Sequence, residues 1–402
     1  MLTIIADDIT GAAEIAGIAH RYGLHTMLTV YKDGMVWPDT DADILVVATD
    51  TRSMDPHGAM CVTARIAHEA DRHGDIIFHK TDSALRGHVV EEIHAIMDST
   101  HYTQALYLPA NPSKGRIISH GIYYIATPSH GGEHSVMTPI AETPFSFDPE
   151  FPATTSSLAE RFATTTYTST LGRISMPDAV SAEDIMLIVD GIMKRDSGRQ
   201  TIMAGAADLF TALIERLYGI SHRESAPFAG LAAGRGSEGT VMIVRGSTQS
   251  TQQGPLLPVE TMPDSVFHEQ QEPDVWAQQA RERYISRYAQ EGGCILTIGD
   301  KPVREGKHAA VYLRTAMATA CHRMTEGNEP DELVIEGGAT AYAIISRMRQ
   351  HTFSITDEIA PGVVRMAVSN GNGTKTTYIT LKPGSYEWGN IWKKDNDNKA
   401  KA

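Results

Sequence analysis

Apolar positions in the first half of the chain follow two alternating rhythms. Short unbroken apolar runs at Leu2–Ala6, Thr26–Tyr31, Ile44–Thr49, Ile76–His79 and Ala105–Pro109 predict buried strands. Helical spacing between them predicts helices at Gly11–Tyr22, His57–His73 and His88–Met97. In the first of these, Ala13, Ile15, Ala16 and Ile18–Ala19 share one side. Strand, helix, strand, repeated, predicts a parallel sheet with helices on both faces, and such sheets bind ligands beyond the carboxyl ends of their strands. The stretch Thr127–Thr155 is rich in Pro, Gly, Ser and His and reads as a long functional loop or an irregular insertion. Helical spacing returns at Ala182–Met193 and Ala206–Leu217.

Periodicity lapses over Gly219–Gly239, where the domain boundary is expected. A second alternating series follows. Strands are expected at Val241–Arg245, Cys294–Ile298, Leu333–Glu336 and Thr376–Leu381, and helices at Pro273–Gln290, His308–Met324 and Thr340–Gln350. The expected fold class is α/β, in two domains over residues 1–225 and 238–392, with a disordered tail over 393–402. Each domain is expected to hold a mainly parallel sheet flanked by helices, with an active-site cleft between the two.

Composition changes this picture little: 402 residues, 42% hydrophobic and 21% charged, are globular. A formal charge of -14 argues against a nucleic-acid partner, while a local basic pocket still permits an anionic substrate. Cys61, Cys294 and Cys321 form no CxxC pair, which predicts reduced thiols and a cytoplasmic protein. The apolar start Leu2–Ala6 is too short for a signal-peptide core, and no apolar run has membrane-spanning length, so no membrane partner is expected.

Chemistry gathers at the predicted strand ends. After the first strand stand Asp7 and Asp8, followed by Thr10 and Gly11. Helix capping by Asp8 or Thr10 would explain them, and so would a catalytic acid pair. After Ile76–His79 comes Lys80-Thr81-Asp82-Ser83-Ala84-Leu85-Arg86-Gly87. It combines two cations that can grip a carboxylate, a proton acceptor and a hydroxyl. Arg52 follows another strand, so three strand ends are expected to converge on one pocket. In Pro109–Arg116, a rigid turn accounts for Asn111 and Ser113 and leaves Lys114 and Arg116 as pocket charges. The second half instead offers glycine turns after strands, at Arg245-Gly246-Ser247, Glu336-Gly337-Gly338-Ala339-Thr340 and Lys382-Pro383-Gly384. Backbone N–H groups in such turns receive phosphate. No Walker motif, HRD loop, GxGxxG or GxSxG is present, which sets aside P-loop enzymes, protein kinases, dinucleotide dehydrogenases and serine hydrolases.

These motifs resemble those of the four-carbon acid sugar kinases. Ala6–Ala12 resembles the family's ADDxTGA, Lys80–Gly87 its KxDSxLRG, and Pro109–Arg116 with Gly121–Tyr124 its PAxPxxGR…GxxY. The run Glu142–Pro149 is similar too. The resemblance implies an acid-sugar-binding N-terminal domain, a nucleotide-binding C-terminal domain, ATP and Mg²⁺ as cofactors, and phosphorylation of a D-threonate or D-erythronate type acid at its terminal hydroxyl. A 3-oxo-tetronate or another hydroxy acid is the alternative substrate. A homodimer is compatible with it. By motif match, Asp8, Arg52, Lys80, Thr81, Asp82, Ser83 and Arg86 hold the sugar acid, with Asp82 or Asp8 as the catalytic base. Ser247, Gly337, Gly338, Ala339, Thr340 and Gly384 hold ATP. The metal ligands stay open. Where the family usually reads TGGDTA, this chain has Ala339 in place of the acid. That departure keeps a non-catalytic ligand sensor as the rival reading.

Overall fold

Of the unbroken apolar runs in the first half, four fold as parallel strands whose two faces are both covered, while Thr26–Val30 pairs antiparallel with a strand of the second unit. The structure is a computed structural model. It describes all residues except 129–134, 149, 164, 197–199, 222–227, 229, 232–238, 247–254, 303, 305, 369–375, 383–390 and 393–402. Two compact units form. One comprises Met1–Ile15, Tyr22–Thr26 and Asp33–Arg223, and the other Ala16–Arg21, Met27–Lys32 and Glu224–Ala402.

The chain begins with β1 (Leu2–Ala6), α1 (Ile9–Arg21), β2 (Thr26–Val30), β3 (Ile44–Ala48), α2 (Pro56–Arg72), β4 (Ile76–Lys80), α3 (Val89–Ser99) and β5 (Gln104–Leu108). It continues through β6 (Arg116–Ser119), β7 (Ile122–Pro128), β8 (Ser135–Pro139), α4 (Leu158–Phe162), α5 (Thr168–Leu171), β9 (Ile174–Ser175), α6 (Ala182–Asp196), β10 (Thr201–Gly205) and α7 (Ala207–Tyr218). The first unit's parallel sheet has the order β3-β1-β4-β10-β5-β9. All five side chains of β1, β3 and β10 are buried, as expected of strands covered on both faces. Helix α2 starts where Asp55 accepts the Gly58 N–H at 3.0 Å and Pro56 occupies the first turn.

The chain leaves β1 for β3 on one side and then crosses to β4 on the other. The border of β1 and β4 is therefore a topological switch point. In register, Ala6 lies opposite both Ala48 and Lys80, so three loops leave the sheet at one level.

One expectation is corrected here. Within Thr127–Thr155, residues of β7 and β8 pair antiparallel, with β6 on β7's other edge, and two short 3₁₀ turns follow. The strand signal was weak because Ser135, Val136 and Met137 of β8 are all exposed and carry no alternation.

The second unit runs β11 (Val241–Arg245), β12 (Val259–Thr261), α8 (Asp264–Phe267), α9 (Pro273–Ser286), β13 (Gly293–Thr297), α10 (Lys307–Thr325), β14 (Glu332–Glu336), α11 (Gly338–Ile345), β15 (Thr352–Ala360), β16 (Val363–Val368) and β17 (Thr377–Lys382). Its strands lie in the order β12-β13-β11-β14-β17-β16-β15-β2. The first five are parallel, and β16 and β15 pair antiparallel. Early in sequence, β2 pairs antiparallel with β15, Leu28 lying opposite Phe353. The helix expected over Thr340–Gln350 ends at Ile345. Here too the chain steps from β11 to β13 and then to β14 on the far side, a second switch point. Among the described residues, no helix is long and apolar enough to cross a membrane.

Candidate functional site

At the first switch point the two acids after β1 take different work. Asp7 is buried and receives two hydrogen bonds from Arg52, Nε at 2.9 Å and Nη2 at 2.8 Å. Burial pushes its carboxyl up to about 6, against the pull of Arg52 and with help from Asp8. Asp8 is partly exposed. Its Oδ2 accepts Arg52 Nη1 at 3.0 Å, and its Oδ1 accepts the Gly11 N–H at 2.7 Å. A Cβ on Gly11 would lie 2.9 Å from Asp8 Oδ1 and 3.1 Å from Lys80 Nζ, so glycine lets both groups crowd the start of α1.

The loop after β4 is built around Asp82. Its Oδ2 accepts the Ala84 N–H at 3.0 Å and Arg86 Nε at 2.8 Å, and its Oδ1 accepts Arg86 Nη2 at 3.0 Å. Arg52 Nη1 stands 3.8 Å away. Burial works to raise this carboxyl, but Arg52 and Arg86, with Lys80 behind them, hold it far below the usual carboxylate range. Leu85 in this loop adopts a left-handed φ of 63°, and Arg161 holds its carbonyl with Nε at 3.2 Å and Nη2 at 2.8 Å. Lys80 Nζ donates to the Thr81 carbonyl and lies 3.4 Å from buried Glu14, which also pairs with Lys114. Burial alone would raise Glu14, and the two ammonium groups reverse the sign. Ser83 is fixed at both ends. Arg116 Nη1 donates to its hydroxyl, and Tyr123 O–H donates to its carbonyl. Behind β4, His79 is buried between the Ile5 carbonyl and Glu92, a structural pair.

The second switch point is plainer. Arg245, Glu336 and Lys382 end β11, β14 and β17 at one level. Lys382 Nζ donates to Glu336 at 2.8 Å, both side chains fully buried. Gly337 is a left-handed residue (φ 103°) that opens α11, and Gly246 passes so close that a Cβ would lie 2.0 Å from Thr340 Oγ1. Ala339 is exposed in the first turn of α11, and Thr340 is buried.

Comparison with known proteins points to the same family. Residues 2–177 match the family described as the sugar-binding N-terminal domain. The chain is 26% identical over 264 residues to a D-threonate kinase of Salmonella typhimurium, an alignment spanning 60% of this chain and 59% of that protein. It is 23% identical to a D-threonate kinase of Bordetella bronchiseptica over 95% of this chain and 93% of that one. A 3-oxo-tetronate kinase of Pseudomonas fluorescens is 27% identical over 35% of each chain. These likenesses support the four-carbon acid sugar kinase family. Two solved structures share the fold. A Salmonella typhimurium protein provisionally described as a tRNA synthase has a TM-score of 0.69 at 18% identity, over 97% of this chain and 96% of that one. A Haemophilus influenzae protein of the DUF1537 family has 0.66 at 17%, over 97% and 98%.

For this sugar acid kinase relative, the structure brings Asp8, Arg52, Lys80, Asp82, Ser83 and Arg86 into one cluster. Thr81 joins it by its backbone, its N–H continuing the ladder to Gly205 at 3.0 Å and its side chain buried. Gly337, Gly338, Ala339 and Thr340 share one turn in the second unit. Ser247 and Gly384 lie outside the described residues. The motif reading assigned no role to Glu14, Tyr123, Phe145, Asp148 or Arg161. Glu14 had a signal, an acid inside the apolar spacing of α1, and it is 8% exposed. Arg86 sits 5.9 Å from the Phe145 ring centre and 3.6 Å from Asp148, contacts that only the fold brings together.

Proposed function

We propose that this protein transfers the γ-phosphate of ATP to the terminal hydroxyl of a four-carbon sugar acid of the D-threonate or D-erythronate type, giving the 4-phosphate in carbohydrate acid catabolism. What carries this reading is the interlocked acid–base cluster at the switch point of the unit that matches a sugar-binding family. The names of the curated relatives support the substrate class and the reaction.

Phosphoryl transfer needs an oriented hydroxyl, in-line approach and neutralised charge. Asp8 is the proton acceptor in this reading. It is partly exposed and each oxygen accepts one hydrogen bond, whereas Asp82 is saturated by N–H donors and held far below the usual range. Asp82 instead positions Arg86 and the loop. The N–H groups opening α11 and the turn at Gly337 take the phosphates of ATP. Among the described residues, no cluster of three His, Cys, Asp or Glu side chains would hold a metal. Mg²⁺ enters this reading only as the counter-ion that ATP carries.

The test is ADP release with Mg-ATP against D-threonate, D-erythronate, 3-oxo-tetronates and longer sugar acids. One four-carbon acid should exceed the longer acids by at least about tenfold in kcat/KM. Preference for a 3-oxo-tetronate would move the substrate to the alternative named among the relatives. No release with any acid would reject the kinase reading and favour a sensor.

A further inference from the structure

The charges of the sugar-binding cluster do not cancel, and the remainder is localised. Its carboxylates are Asp7, Asp8, Glu14, Asp82 and Asp148. Arg52 is taken by Asp7 and Asp8, Arg86 by Asp82 and Asp148, and Lys80 and Lys114 by Glu14. Lys80 and Lys114 share the one carboxylate of Glu14, and two guanidinium groups have no carboxylate partner among the described residues, those of Arg116 and Arg161. Arg161 spends all its nitrogens on carbonyls, Nε and Nη2 on Leu85 and Nη1 on Pro152. Arg116 spends only Nη1, on the Ser83 hydroxyl. Its Nε and Nη2 engage no acceptor among the described residues, and neither is a buried orphan. The Phe145 ring lies 6.0 Å from its guanidinium carbon and steadies the plane without consuming charge.

We infer that Arg116 is the carboxylate anchor of the sugar acid, gripping it through the free Nε–Nη2 edge while the Ser83 hydroxyl fixes the fork. This inference rests on the sugar-acid reading above and replaces Lys80, Arg86 and Arg52 as the groups that receive the substrate's carboxylate. A carboxylate pays a desolvation cost to enter a pocket, and a cation already neutralised by a protein carboxylate returns little of it. Arg116 is the cation of the cluster whose charge and donor geometry are both available. It also explains why a site crowded with acids would select an acidic substrate over a neutral polyol.

The experiment is titration calorimetry of the full-length protein with D-threonate and with D-erythronate, on wild type, Arg116→Gln and Arg116→Lys, with melting curves alongside. The expected result is at least about a 30-fold rise in Kd for Arg116→Gln, a smaller rise for Arg116→Lys, and melting midpoints close to wild type. In steady state the same variants should raise KM for the acid far more than they lower kcat. Unchanged affinity in Arg116→Gln overturns the anchor and leaves the kinase reading standing. Equal loss in Arg116→Lys and Arg116→Gln with a collapsed melting midpoint also overturns it, because the residue would then be structural. Wild-type binding that depends on Arg116 but yields no turnover keeps the anchor and rejects the kinase. No wild-type binding of either acid rejects both.

Discussion

At the carboxyl ends of β1, β3 and β4, the candidate site is written in side chains. Asp7, Asp8, Arg52, Asp82 and Arg86 hold one another through charged hydrogen bonds, and every loop there carries a titratable group. At the carboxyl ends of β11 and β14 it is written in backbone. A glycine turn opens α11, and the ionic pair beside it, Glu336 with Lys382, is sealed from solvent. In the proposed reading the same topological device serves two chemistries. A sugar acid presents hydroxyls and one carboxylate in a fixed pattern, which only placed side chains can read. A polyphosphate presents dense negative charge that N–H groups at a helix start can take without carboxylates nearby.

The sharpest way to break this contrast is at Asp8. Asp8→Asn should lower kcat by roughly 10²–10⁴-fold while the KM for ATP stays near wild type. Asp82→Asn should act chiefly on the acid's KM and on stability, because it frees Arg86 from its two-oxygen partner. If Asp82→Asn gives the larger kcat loss with stability intact, the proton acceptor is Asp82 and the assignment reverses.

The second unit's pair should behave as structure. Lys382→Met leaves the Glu336 carboxylate buried without its ammonium, at a cost of roughly 3–5 kcal/mol in unfolding free energy. Replacing both, Lys382→Met with Glu336→Gln, should recover part of that loss. Urea melts of the two variants decide it, and an undiminished midpoint in Lys382→Met would show the pair to be idle.

Asp7 offers a test by pH. Its folded pKa of about 6 lies above the ordinary value of 3.8, so the folded state binds the proton more tightly than the unfolded chain. Unfolding free energy from this group therefore falls as pH rises from about 4 to about 6, by roughly 3 kcal/mol in all. Asp82, shifted the other way, already contributes in full above about pH 4 and adds no slope there. Asp7→Asn should flatten the decline between pH 4.5 and 6.5, read as the wild-type minus variant difference in urea midpoint. A difference independent of pH would mean that Asp7 is ionised throughout.

How much of this could be read in the chain follows from the same contrast. Buried parallel strands need continuous apolar runs, so β1, β3, β4 and β11 were visible with nearly their full ranges. Half-exposed antiparallel strands do not, and β8 and β15 were missed, most side chains of β15 being only partly buried; β16 was missed although four of its six residues are buried, Arg365 breaking its apolar run. The side-chain cluster was legible because strand-end loops carried Asp8, Arg52 and Lys80–Arg86 in one register. Which charge cancels which was not legible. The pairing of Arg86 with Asp148, 62 residues apart (148 − 86), and of Lys114 with Glu14, 100 apart, exists only once the loops meet. The backbone site left only glycines in the sequence, and glycines mark turns of every kind.

The smallest effect tests whether the turn at α11 faces a nucleotide at all. Ala339 is exposed in the first turn of that helix, where the family pattern usually has an acid. An added carboxylate would be stabilised by the helix dipole yet would repel phosphate oxygens gathered at the same N–H groups. Ala339→Asp should therefore weaken ATP binding in the absence of divalent cation by a few-fold, about 0.3–1 kcal/mol. With Mg²⁺ present the sign should lessen or reverse, because a cation between carboxylate and phosphate turns the repulsion into a bridge. Equilibrium titration of ATP into wild type and Ala339→Asp, with and without Mg²⁺, separates the outcomes. A metal-dependent difference places the phosphates at this turn. Identical affinities under both conditions would remove α11 from the nucleotide site and leave the second switch point a structural crossing alone.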